Sequence, residues 1–279
     1  MIDTLRRGPP PAAAEDPFAA LRALAAAPGP VIDIAETALA CASLDRPGVE
    51  LGPYRDHLAV LAAAALARAG TAPPPDALAG LLSGEHGYRG DSETYDDLAN
   101  ADLTRVIDRR RGLPVALSIV WIHAARAAGW RCVGLDMPAH FLLRLEGGGG
   151  SWVIDPFAGG RAMDRAEFEA RLRAAAARMP LREPGELDDR AVVLRLQNNI
   201  RVRVQQAGEA GRALDVLRRM LVLAPASVAL WEEASDLHAA QGGLRAALEC
   251  LDAAMALAPD MAARQRIAAS RAIVASRLN

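Results

Sequence analysis

Apolar residues in most of this chain recur at helical spacing, but over residues 131–157 the period falls to two. "RCVGLDM", "HFLLRLE" and "SWVIDPF" read as strands, and "GGGG" at 147–150 supplies the turn between the last two. A short two-period block inside a helical chain limits the fold class to α+β, with a small antiparallel sheet between helical segments. The 279 residues leave room for about two domains.

The flanking sequence predicts where those helices start and stop. Residues 1–12 are rich in Pro and Ala and predict a disordered N-terminal tail. A helix is expected near 16–26, with Asp16 as N-cap and Pro17 at the first helical position. Asp33 opens a second. A third spans 53–70 and stops at Gly70 before the prolines at 73–75. A short helix at 76–83 leads to "GEHGYRGDSETYDDLANAD", residues 84–102, which predicts a long structured loop. "LTRVIDRR" predicts a helix capped by Asn100 or Asp102 and ending at Gly112. Pro114 then opens a central helix that Gly129 terminates.

After Asp164 the chain returns to helices. "LAP" at 223–225 recurs at 257–259, a period of 34 residues that points to tetratricopeptide-like hairpins. Trp231, Ala247, Leu251, Ala254 and Pro259 fit the second unit, while Ala213 and Leu217 mark the first. Two units fall short of the roughly three that a solenoid needs, so these helices and those at 188–206 and 261–276 must lean on the rest of the chain. The expected division is a disordered tail at 1–12, a core domain at 13–182 and a repeat-like helical region at 183–279.

Composition narrows the chemistry. All 32 basic residues are arginine, so no Schiff-base lysine exists. A net charge of −2 gives no electrostatic case for nucleic acid as a partner. The absence of an apolar run of ~20 residues or a signal-peptide pattern predicts a soluble cytoplasmic protein with no membrane partner. Cys41, Cys132 and Cys250 are too dispersed for a disulfide framework or a zinc site. Glu85, Asp91, Glu93, Asp96 and Asp97 lack calcium-loop spacing, so neither metal nor cofactor is expected.

His140 begins one predicted strand and Asp155 ends the next. Such a pair often activates a thiol, the carboxylate fixing the imidazole tautomer. A His–Asp hydrogen bond between adjacent strands also fixes register without catalysis, and a structural or vestigial dyad is the leading expectation here. Three segments, "VIDRRRGLPVALSIVWIHAARAAGW", "PAHFLLRL" and "VIDPFAGG", resemble the transglutaminase-like, papain-related fold. More narrowly, they resemble its SirB-type branch, over roughly residues 30–265. The resemblance implies a transglutaminase-like core followed by tetratricopeptide-type helices. It also implies a triad of a cysteine at a helix N-terminus, a histidine and an aspartate. The family's Gly-x-Cys becomes Gly112-Leu113-Pro114 here, and proline carries no nucleophile. Tyr95-Asp96 matches the family's Tyr-Asp segment, which implies that the long loop folds over the cleft.

Ser118 lies one turn deeper than Pro114 on the same helix face. It could substitute as a displaced nucleophile, or bond a carbonyl one turn back as a buried serine. Arg111, Pro114, Trp152 and Tyr95 are the expected cleft-binding residues. The Arg109–Arg111 run reads either as a solvated helix end or as a contact for an anion or acidic peptide. The three cysteines and His57, His123 and His238 read as packing or surface residues.

Two functions lead, with nucleic-acid binding through the arginine runs a weaker third that the near-neutral charge opposes. The leading one is a non-catalytic interaction or regulatory protein that takes a protein or peptide partner in the cleft and on the repeat-like helices. The alternative is a hydrolase or acyl-transferase using His140 and Asp155 with Ser118 or water. The sequence specifies no oligomeric state.

Overall fold

Asp33, Asp102, Asp188, Ser227 and Asp260 each accept a bond from a backbone N–H two or three residues on, and a helix begins after each. The computed structural model describes residues 16–27, 29, 31–137, 140–176 and 185–278. Four helices come first: α1 (Ala19–Ala25), α2 (Ile34–Asp45), α3 (Gly52–Arg68) and α4 (Pro74–Ala79). Next come β1 (Arg89–Gly90), α5 (Leu103–Arg109), β2 (Arg111–Gly112) and α6 (Pro114–Ala127). Then follow β3 (Arg131–Met137), β4 (His140–Gly147), β5 (Gly150–Ile154), β6 (Ala162–Met163), α7 (Arg165–Ala176) and β7 (Gly185–Leu187). The chain ends with α8 (Asp189–Gln206), α9 (Ala210–Leu223), α10 (Val228–Ala240), α11 (Leu244–Leu257) and α12 (Met261–Ser276). The expected tail, residues 1–12, lies outside the described residues.

Among the described residues the main sheet is antiparallel, in the order β6-β5-β4-β3-β7. Its centre is the three predicted strands, with Cys132 opposite Leu145 and Leu143 opposite Ile154. Gly148 and Gly149, at φ 56° and 82°, make the tight turn that joins β4 to β5. The edge strands β6 and β7 carry too few residues to show an alternation.

The alternation decides what covers each face. Cys132, Leu143, Leu145 and Ile154 pack into the main core with α6. Leu135, Met137 and Leu142 face Phe168 and Leu172 of α7. Helix α6 is surrounded, with Ile119, Val120, Trp121 and Ile122 fully buried. The main core continues from Leu21 in α1 to Cys250 in α11, and a smaller cluster joins α10, α11 and α12.

Several boundaries differ from expectation. Helix α1 starts at Ala19, because the Asp16 carboxylate accepts from the Phe18 N–H and holds Pro17 in a turn ahead of the helix. The segment 84–102 is partly regular. A π-type turn at Gly80–Glu85 extends α4, β1 pairs in parallel with β2, and Leu98–Asn100 form a 3-10 turn. Helix α5 ends at Arg109 rather than Gly112, with Arg110 capping it in the left-handed conformation at φ 56°. Gly112 lies in β2 instead, where a Cβ would stand 2.8 Å from the Val106 side chain. Among the described residues no helix is long and apolar enough to cross a membrane.

Candidate functional site

Helix α6 begins where the Leu113 N–H donates to the Asn100 carbonyl at 2.8 Å. Pro114 occupies its first turn, which has no side-chain cap. Ser118 is fully buried, and its hydroxyl donates to the Pro114 carbonyl at 2.8 Å. Burial pushes the thiols of Cys41 and Cys132 up to about 12, and that of Cys250 upward as well. All three cysteines are buried, so none presents a ready thiolate.

Asp155 follows β5 and caps a short turn. One carboxylate oxygen accepts from the Phe157 N–H at 3.0 Å and the Ala158 N–H at 3.4 Å. The other accepts from Arg171 of α7 at 2.8 Å, and Arg171 also reaches Glu167 at 3.4 Å. His140 pairs with Met137 through the backbone. The expected His140 side chain lies outside the described residues.

The loop between β1 and α5 closes over this corner. A Cβ on Gly90 would sit 2.5 Å from the Phe157 ring, so glycine is what lets β1 cross it. Tyr95 meets Phe157 edge-on at 6.0 Å, and the Arg203 guanidinium covers Tyr95 at 5.5 Å. The loop's acids hold it in place. Buried Asp91 accepts from Thr94 N at 2.9 Å, Thr94 Oγ1 at 2.8 Å and Arg109 at 2.8 Å. Those bonds, led by the backbone one, draw its carboxyl down to about 2. Glu93 pairs with Arg111 at 3.1 Å, Asp96 with Arg203 at 3.0 Å, and Glu85 with Arg68. Among the described residues no group of three His, Cys, Asp or Glu side chains is placed to hold a metal.

Tyr95, Phe157 and Asp155 therefore come together, Arg111 is tied to Glu93, and Pro114 opens α6. Trp152 stands apart. Its indole lies over Gly150 at the hairpin turn and packs against the main core. Arg171 and Arg203 escape sequence reasoning, because nothing local distinguishes an arginine that bridges to a distant element from one that faces solvent. A groove of about 400 Å³ lies elsewhere, between α1 and α9–α11, and is lined by Phe18, Leu217, Leu221, Trp231 and His238.

A buried helix backed by an antiparallel sheet, with an aspartate closing the third central strand, is the arrangement expected of a transglutaminase-like core. The family model for the transglutaminase-like superfamily matches residues 53–198, just over half of the chain, and the chain belongs to that superfamily. It is 31% identical over 173 residues to a UPF0162 protein of Pseudomonas aeruginosa, covering 60% of this chain and 59% of that one. It is 41% identical over 87 residues to a UPF0162 protein of Xylella fastidiosa, 31% of each chain. A segment of 82 residues is 29% identical to mouse F-box only protein 21, 13% of that protein. The match thus spans less than two thirds of each of these relatives. No solved structure matches.

Proposed function

We propose that this chain is a non-catalytic interaction or regulatory protein of SirB type. In this reading a transglutaminase-like core at 13–182 has lost its nucleophile, and tetratricopeptide-like helices at 183–279 contribute a second surface. One observation carries it. The first turn of α6 holds Pro114 where the family's chemistry places sulfur, and the nearest hydroxyl on that face, Ser118, is buried and donates its proton to Pro114. The Asp155–Arg171 pair supports it, since that carboxylate already has a cationic partner. The apolar groove between α1 and α9–α11 suits a peptide or helix with apolar anchors.

The test combines chemistry and binding. Serine- and thiol-directed activity probes are applied to the native chain and to His140→Ala. The expected result is no specific labelling of either. Labelling of Ser118 or of any cysteine that disappears in His140→Ala would establish a displaced nucleophile and overturn the reading. A displayed peptide library selected on the native chain is then measured against Leu221→Arg. Loss of selected-peptide affinity by this groove variant is expected.

A further inference from the structure

Arg110 is the one non-glycine residue at positive φ among the described residues. A left-handed backbone is unfavourable for an L side chain, and glycine at this position would avoid the penalty. Its neighbours are neutralised: Arg109 by Asp91 at 2.8 Å and Arg111 by Glu93 at 3.1 Å. Arg110 makes no ion pair among the described residues.

Its surroundings are aromatic and titratable. One terminal nitrogen, Nη1, lies 2.7 Å from Tyr88 Oη and 2.7 Å from His57 Nε2. A guanidinium can only donate, so His57 Nε2 accepts and the ring proton sits on Nδ1. Tyr88 is fully buried and edge-on to Trp121 at 6.2 Å, with the guanidinium 5.0 Å from its ring centre. The phenol is thus a fixed platform for the cation. His86 stands edge-on to His57 at 5.7 Å.

That arrangement leaves donors over. Nε and Nη2 of Arg110, the Nδ1–H of His57 and the single ring N–H of neutral His86 make no hydrogen bond among the described residues. Burial first, then the Arg110 charge, holds both imidazoles below their ordinary range, His57 down to about 4. No nearby acid comes within ion-pair distance of Arg110 among the described residues. Glu85, beside His86, binds Arg68, and Asp108 accepts from Tyr54 Oη at 3.1 Å. Asp108 keeps its negative charge near this corner, since a phenol hydroxyl does not neutralise it, but it makes no ion pair with the Arg110 guanidinium among the described residues.

We propose that this corner, where α3, the turn before β1 and the end of α5 meet, is a binding site for a phosphoryl group. Arg110 supplies the fixed charge, and His57 and His86 supply further donors. Three donor groups match the three free oxygens of a phosphoryl group better than the two of a carboxylate. An arriving dianion also offsets the Arg110 charge, so the imidazoles take up protons as it binds. The site uses none of Pro114, Ser118 or Asp155, and it stands whether or not the non-catalytic reading does.

The test follows the imidazole C–H resonances of the whole chain while inorganic phosphate is titrated at constant ionic strength, with acetate and chloride as controls. The expected result is a saturable shift of His57 and His86 with phosphate alone, their pKa values moving up, while His123 and His238 stay put. Arg110→Gln and His86→Gln should each weaken phosphate binding by about tenfold or more. His86→Gln removes no described side-chain hydrogen bond and should melt like the native chain, so its loss of binding is not a loss of fold. Phenyl phosphate then separates the sources: tighter binding assigns an organic monoester, weaker binding the free ion. Shifts that acetate or chloride reproduces, no saturation at millimolar phosphate, or unchanged binding in both variants would overturn the proposal.

Discussion

His57 accepts a hydrogen bond from Arg110, so protonating it means losing that bond and placing a second positive charge beside the first. Burial and the guanidinium lower it to about 4 in the folded chain, against an ordinary value of 6.5. Between those values the unfolded chain binds the extra proton, so stability rises with pH. The contribution is complete above 6.5 and lost as pH falls toward 4. The thermal midpoint is therefore expected to fall across that window, and to fall less steeply in His57→Gln, which keeps an acceptor but no titrating proton. Equal slopes would remove His57 as the cause. The sequence does not reveal this histidine's role, because its partner lies 53 positions away. Ser118 is the opposite case, since its acceptor is the carbonyl four residues back and helical spacing alone finds it. That carbonyl also takes the helical N–H of the same turn. Ser118→Ala should therefore cost about 1 kcal/mol or less in chemical denaturation.

Local rules govern most of the elements, and the exceptions lie where distant groups impose the conformation. Aspartate caps, Pro114 at the head of α6 and the glycine turn between β4 and β5 are all local, and each is readable. The end of α5 is not, because contacts with His57 and Tyr88 hold Arg110 in a conformation that local preference assigns to glycine. Strands of two or three residues such as β6 and β7 carry no period to read. The uncapped first turn of α6 gives a direct prediction. Pro114→Cys places a thiol at a helix start, and its pKa should fall below the usual value of about 8.5. The pH dependence of iodoacetamide labelling measures it, with the buried Cys41 and Cys132 as unreactive internal controls. A value at or above the usual one would mean that the loop carrying Tyr95 covers this helix end. The close crossing of β1 gives a second prediction. Gly90→Ala drives a methyl into the Phe157 ring and should destabilise the chain by about 1–3 kcal/mol in urea.

At the scale of the whole molecule, the C-terminal helices are joined to the N-terminal ones by a continuous core and by buried charges, Asp189 against the Ile32 N–H and Arg219 against α2. Arg219 of α9 is 2% exposed and meets Asp45, at the end of α2, through two bonds of 2.6 Å. It also reaches the Cys41 carbonyl at 3.1 Å. The sequence does not reveal where the C-terminal helices find support, since the supporting carboxylate lies 174 positions away. Removing either partner of a buried pair costs roughly 3–5 kcal/mol, because the survivor stays desolvated. The two removals are not equivalent here. Arg219→Met leaves Asp45, whose side chain is 13% exposed, with Arg212 still 3.7 Å away. Asp45→Asn leaves a guanidinium with an amide oxygen, the Cys41 carbonyl and Gln197 at 3.5 Å, and its Nε has no partner among the described residues even in the native chain. Urea unfolding should therefore show Asp45→Asn near the upper end of that range and Arg219→Met near the lower. Replacing both by apolar residues of similar volume should recover much of the loss. The reverse order of the single variants would mean that Arg212 does not shield Asp45, and that the joint depends on the carboxylate rather than on the buried cation.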